Sequence, residues 1–215
     1  MNLCIPVLNG YDLLYKCIES ALNGNLKPSM IYIVDNGNEL PQRVRDIAGK
    51  KLFLYTPSSN LGVAASWNWF LKTVTHPMMI TNHDIEFDHY DISRFGGAYF
   101  NSESEFFYTS NVSHLNMFSC FMPTKAVVDK VGLFDEQFFP AYFEDNDYFY
   151  RMQLAGIKLE ALQTNITHYP SSTLERYTPE QKEAHHGQFR SNQTYYIAKW
   201  GGTPHKEVYR SPFNQ

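Results

Sequence analysis

Two hundred and fifteen residues are enough for one domain with a full hydrophobic core and too few for two independent catalytic domains. With 43% hydrophobic, 16% aromatic and 19% charged residues, the chain is too apolar to be disordered, and none of its apolar runs reaches the roughly 20 residues that cross a bilayer. A formal charge of −4 and a pI near 6.0 deny it the broad basic footprint of a nucleic-acid binder, so neither a nucleic-acid partner nor a membrane span is expected.

Residues 3–8 read as a strand that Asn9-Gly10 breaks, after which Leu13, Leu14, Cys17, Ile18, Ala21 and Leu22 recur at helical spacing until Asn23-Gly24. Residues 31–34 form a second expected strand ending at Asp35, and 52–55 a third. Residues 63–74 read as a helix with Trp67, Phe70 and Leu71 on one face, and 78–81 as a strand running into Asn82-His83-Asp84. This alternation predicts an α/β fold with a mostly parallel sheet. The second half is less periodic: strands over 106–108 and 117–122, a short helix over 124–131, an aromatic loop over 132–143, and helices over 144–155 and 179–199 before Gly201-Gly202. The segment 203–215, with Pro204 and Pro212, reads as a tail or linker, and no internal repeat is present.

Cys4, Cys17 and Cys120 are odd in number and widely separated, which predicts buried free thiols. The amino terminus shows no basic region leading into an apolar stretch, so a cytoplasmic location is expected and the acceptor-type sequences at Asn111, Asn165 and Asn192 are expected to stay unmodified.

Ligands of open parallel sheets bind beyond the carboxyl ends of the strands, where Asn9, Asp35 and Asp84 all fall. Asn82-His83-Asp84 offers oxygen groups suited to Mg²⁺ or Mn²⁺, although a plain turn uses the same residues. Glu144, Asp145 and Asp147 cluster at an expected helix start; capping accounts for two of them, and a cleft carboxylate acting as a general base would account for a third. Asn60-Leu61-Gly62 reads locally as a turn before a helix, His168 as a lone loop histidine, and His185-His186 as a solvated helix face. Arg151 is placed to neutralise an acidic partner or, less simply, to approach a phosphate.

Taken in order, Ile5-Pro6-Val7-Leu8-Asn9, Val34-Asp35-Asn36, Asn60-Leu61-Gly62 with Asn68, Asn82-His83-Asp84, Gly132-Leu133-Phe134-Asp135-Glu136, Tyr142 through Asp147, Arg151, Gly156 and His168 resemble the family 2 glycosyltransferases of the GT-A fold, most of all their rhamnosyltransferase-like branch. The resemblance implies a single domain over 1–202, with a nucleotide-sugar half over about 1–100 and an acceptor half over about 101–202. It implies a nucleotide site at Pro6, Asn9, Asp35, Asn60, Gly62, Asn82 and His83. It also implies a Mn²⁺ or Mg²⁺ site at Asp84 and His168, with Asn82 standing where the family's metal motif usually starts with Asp. The reaction implied is an inverting transfer of sugar to a hydroxyl, with Asp145, or second to it Glu144, as base. The chain is also similar to the first domain of chlorella-virus glycosyltransferases that decorate the major capsid protein. That similarity implies a longer multidomain polypeptide acting in the host cytoplasm, a rhamnose or glucose donor on UDP, and a capsid glycan acceptor. The alternatives are a sugar nucleotidyltransferase, which would need a glycine-rich basic loop where Asn9-Gly10-Tyr11-Asp12 stands, or a non-catalytic module that binds a sugar nucleotide or glycan.

Overall fold

A computed structural model describes residues 1–101, 105–110, 117–169 and 172–215. Asn111, Pro170 and Ser171 therefore lie outside the described residues. The central strands are β1 (Asn2–Val7), β2 (Ile31–Asp35), β3 (Leu52–Tyr55), β4 (Met78–Thr81), β6 (Phe106–Thr109), β7 (Cys120–Pro123) and β8 (Lys158–Ala161). They form one sheet in the order β3-β2-β1-β4-β7-β6-β8. β1 runs parallel to both β2 and β4, and β7 alone is antiparallel to its neighbours. A two-stranded antiparallel ribbon, β5 (Ile85–Glu86) with β9 (Thr167–His168), stands apart from the sheet.

The inner strands are apolar on both faces, because helices cover both sides. Successive side chains alternate between two cores. Leu3, Ile5 and Val7 enter the core that includes Leu14 and Ile18 of α1 (Tyr11–Asn23), whereas Cys4 joins Trp67 and Phe70 of α3 (Gly62–Thr73) on the other face. The same division repeats at Met79 against Ile80 and at Tyr108 against Phe107. All three cysteines are buried and free, as their spacing predicts. Among the described residues, no helix is long and apolar enough to cross a membrane.

Two helices, α2 (Gln42–Ala48) and α4 (Asp91–Asn101), escape the periodicity reading. α2 has only seven residues, too few to establish a period, and Gly96-Gly97 interrupts α4 with residues of poor helix propensity. Residues 117–119, expected to open a strand, form a 3₁₀ turn instead, with the Met117 carbonyl accepting a hydrogen bond from the Thr109 hydroxyl at 2.6 Å.

The second half of the chain contributes α5 (Lys125–Val131), α6 (Glu144–Leu154), α7 (Ser172–Glu175) and α8 (Pro179–Trp200). Asp147 of α6 has no exposed surface and accepts from Lys199 Nζ at 2.6 Å, Trp200 Nε1 at 2.9 Å and Arg151 Nε at 2.9 Å. Lys199 also reaches Asp135 at 2.7 Å, so one ammonium joins α8 to α6 and to the loop after α5. Arg151 takes the acidic partner expected of it. Its remaining nitrogens donate to the Val131 and Leu133 carbonyls, which directs it to structure and away from any phosphate. The 203–215 segment, read from its prolines as loose, folds back on α8: Val208 and Tyr209 donate their N–H groups to the Trp200 carbonyl, and Phe213 meets Tyr195. A tail that satisfies the last helical carbonyls in this way replaces water at the helix end.

Removing the shared cation would leave two carboxylates short of a partner in the interior. Lys199→Ala is expected to lower the unfolding free energy by about 3 kcal/mol, read from the urea midpoint at constant slope.

Candidate active site

Between the carboxyl ends of β1 and β4 the strand order reverses, and the helices that follow these strands diverge to leave a crevice. A cavity of about 370 Å³ occupies it. Pro6, Val7 and Leu8 line it from β1, and Asn82, His83 and Asp84 from the turn after β4. Gly10 adopts φ +74° where α1 begins, and a Cβ there would come within 2.8 Å of His83 Nε2, so glycine is needed both for the turn and for that close approach. Burial lowers the pKa of His83, with Asp84 acting in the opposite sense, which leaves a predominantly neutral imidazole at neutral pH.

The second wall comes from the Asn60-Leu61-Gly62 turn. Asn36, at the end of β2, accepts from Leu61 N at 2.9 Å and donates to Ser66 Oγ at 2.9 Å, which ties this turn to the sheet. Gly62, with φ +77°, lies under Pro140, whose carbonyl accepts from Val63 N at 2.8 Å. That carbonyl belongs to the aromatic loop 132–143, so the turn joins the two halves of the chain. Asn192 of α8 secures the same loop, donating to the carbonyls of Phe139, Ala141 and Tyr142 at 3.3, 2.9 and 3.3 Å. Asn192, first met as a glycosylation-type sequence, is a buried strut. Asn68 is equally structural: it brackets Phe134 through both backbone groups and reaches Glu136.

Glu144 and Asp145 enter the cleft from the start of α6. Glu144 is buried, and its Oε2 has no hydrogen-bond partner. Burial, reinforced by the neighbouring Asp145 charge, pushes the Glu144 carboxyl well above the usual carboxylate range. Burial also raises Asp145, whose Oδ1 accepts the Asn146 N–H at 2.8 Å.

Across the cleft, Asp84 Oδ1 lies 3.4 Å from His168 Nε2, and Nδ1 of the same ring is 3.5 Å from Ser119 Oγ. The pair is assembled by the β5–β9 ribbon, in which His168 pairs with Ile85 while Tyr169 N donates to the Asp84 carbonyl at 3.0 Å. Donors at right angles and about 2.1 Å from one ion stand about 3 Å apart, so this carboxylate and imidazole fit a shared divalent cation. Among the described residues no group of three or more His, Cys, Asp or Glu side chains converges on a metal. Two protein ligands would leave the other positions of such an ion to water or phosphate oxygens, the usual arrangement for small hard cations.

Of the residues singled out by sequence, the cleft brings together Pro6, Asn60, Gly62, Asn82, His83, Asp84, Glu144, Asp145 and His168. Asn9 and Asp35 stand behind its wall. Asn9 Nδ2 donates to the Thr173 carbonyl at 3.4 Å, and buried Asp35 accepts from Tyr11 OH at 2.7 Å and Leu40 N at 2.9 Å. Its neighbour Asn36 does line the cleft. Ser119 and Tyr177, which no motif marks, also line it, as does His185, whose expected place on a solvated helix face is overturned by its packing against Tyr142 and Tyr177. Asn36 could have been found from its place at a strand end; Tyr177 and His185 carry no local signal.

The sheet order and the metal-compatible pair beside a carboxylate wall define the chain as a GT-A glycosyltransferase fold. The family profile described as "Glycosyl transferase family 2" matches residues 3–118, more than half of the chain, and the protein belongs to that family. No curated protein matches the chain. Solved structures with the same fold include the mannosyltransferase PcManGT from Pyrobaculum calidifontis in complex with GDP-Man and Mn²⁺, at 13% identity and TM-score 0.60, covering 74% of this chain and 53% of that one. TarS 1-349 of S. aureus is 13% identical with TM-score 0.61, covering 91% of this chain and 72% of that one. GalNAc-T7 with UDP, GalNAc and Mn²⁺ is 9% identical with TM-score 0.64, covering 92% and 50%. The chain thus spans about half the length of two of these three.

The raised carboxyls give a pH signature. A carboxyl whose folded pKa lies above its unfolded value favours folding below the unfolded pKa and loses that contribution as pH rises through the folded value. Glu144→Gln is therefore expected to be more stable than the wild type at pH 7, with the difference vanishing as pH falls below about 4.3, in paired denaturant titrations.

Proposed function

We propose that this chain transfers a sugar from a UDP-sugar to a hydroxyl of a glycan acceptor, with a divalent metal, in one inverting displacement. The observation that carries the proposal is the opposition, across one cleft at the sheet's switch point, of the Asp84–His168 pair and the Glu144–Asp145 wall. Pro6, Asn60, Gly62, Asn82 and His83 lie where a nucleoside diphosphate would rest, with Asn9 and Asp35 supporting that wall from behind. Among the described residues lining the cleft there is no Lys or Arg, so a diphosphate needs its charge balanced by a cation. Asp84 and His168 would hold it, and Mn²⁺ or Mg²⁺ would supply neutralisation of the charge that develops on the departing diphosphate. The Asp145 carboxyl, its proton affinity raised by burial, takes the acceptor's hydroxyl proton as the oxygen attacks the anomeric carbon. A rhamnose or glucose donor and a capsid glycan acceptor are the finer reading, taken from the chain's resemblance to capsid-decorating glycosyltransferases.

Calorimetric titration with UDP, with and without Mn²⁺, tests the donor side. Wild type is expected to bind UDP more tightly with metal, and Asp84→Ala to lose that metal dependence; no UDP binding under either condition would overturn the proposal. Asp145→Asn is expected to reduce transfer by about 10²- to 10⁴-fold while retaining UDP affinity, and substantial residual transfer would move the base role to Glu144.

A further inference from the structure

One wall of the cleft belongs to α8 and the residues before it. His185 packs against the ring of Tyr142, with centroids 5.0 Å apart and planes at 66°, and against Tyr177 at 5.7 Å and 77°. Tyr142 also meets Phe189, one turn further along α8, at 5.2 Å. The imidazole is therefore fixed in place, whereas the adjacent His186 faces solvent. Tyr142, Tyr177 and His185 line the cleft together with Glu144 and Asp145.

Two polar atoms of this region, His185 Nε2 and Glu144 Oε2, are buried without a hydrogen-bond partner. Leaving such an atom unsatisfied is costly, so a ligand able to satisfy it is favoured over one that cannot. A hydroxyl both donates and accepts, and it suits either atom after a small reorientation of the side chain. Burial lowers the His185 pKa, so the ring is neutral at neutral pH and offers a dipole with no positive charge for an anion. Two carboxyl groups border the same space and no Lys or Arg lines it among the described residues. Phosphate or carboxylate groups would face these two carboxyls there, while Arg176, beside Tyr177, is paired with Asp12 at 2.7 Å. The tyrosine rings supply apolar surface for the C–H groups of a sugar ring.

We infer that Tyr142, Tyr177 and His185 form an acceptor subsite for an uncharged pyranose, one of whose hydroxyls hydrogen-bonds His185, and that this wall selects against phosphorylated and uronic-acid sugars. The inference rests on the proposed transferase reading, but its test needs no donor. The whole chain is titrated with methyl α-rhamnopyranoside and methyl β-glucopyranoside, and separately with glucose 6-phosphate and methyl β-glucuronide. Ligand saturation-transfer signals and the ¹⁵N shifts of the His185 ring are followed. At least one neutral glycoside is expected to bind about tenfold more tightly than either anion and to shift the His185 nitrogens. His185→Phe, which keeps an aromatic ring and removes both nitrogens, is expected to weaken that binding about tenfold. His185→Gln is expected to recover part of the loss, and His186→Ala to match the wild type. Equal binding of the anions, wild-type affinity in His185→Phe, or no binding of either neutral glycoside would overturn the subsite. UDP binding measured in parallel separates the two readings. Glycoside binding that depends on His185 in a protein that ignores UDP would support the subsite and overturn the UDP-sugar donor. UDP binding without glycoside binding would do the reverse.

Discussion

Because β1 pairs in parallel with β2 on one side and β4 on the other, the connections leaving these strands must diverge, and the space between them cannot be filled by either helix. Every part of the candidate site is arranged around that gap. The β1 end supplies its floor through Pro6 and Leu8, the turn after β4 brings Asp84 to its edge, and the start of α3 closes one side through Gly62. Gly10 and Gly62 stand where backbone must pass close to His83 and to Pro140, positions that a side chain would obstruct.

The second half of the chain depends on buried charge. Asp147 lies less than one turn beyond Glu144 and Asp145, and its three donors pin the start of α6 to the end of α8. The two cleft carboxyls are thus presented by a helix that can neither slide nor rotate without breaking an interior ion pair. Asn192 acts on the loop that leads into the same helix, through three carbonyls. The first turn of α6 carries Glu144, Asp145 and Asp147, and only one of the three is committed to structure in this way. Interior ion pairing and the lining of the cleft are divided between residues that the sequence presents as one cluster.

The sheet was largely legible because its strands are short apolar runs between turn residues: the third and fourth expected strands coincide with β3 and β4, and β1 and β2 differ from expectation by one residue. What failed did so where local pattern is weak. α2 is too short for a period, residues 117–119 are apolar but used in a turn, and the proline-bearing tail packs on α8 through contacts that no spacing rule encodes. Within the site, residues at strand ends could be named in advance. Asp35 stands at such an end as well, and its buried carboxylate is held by Tyr11 and Leu40.

By itself the sequence determined the alternation of strand and helix, the apolar faces that build two cores, and the polar residues that stop each strand, since these follow from periodicity and backbone preference within a few residues. Tertiary structure alone decided which of those polar residues meet. Asp84 and His168 are separated by eighty-four positions and become neighbours only through a two-residue ribbon, and His185 joins Tyr142 because α8 folds back across the aromatic loop. Such juxtapositions arise from packing between distant segments, whose short-range pattern contains no record of the partner.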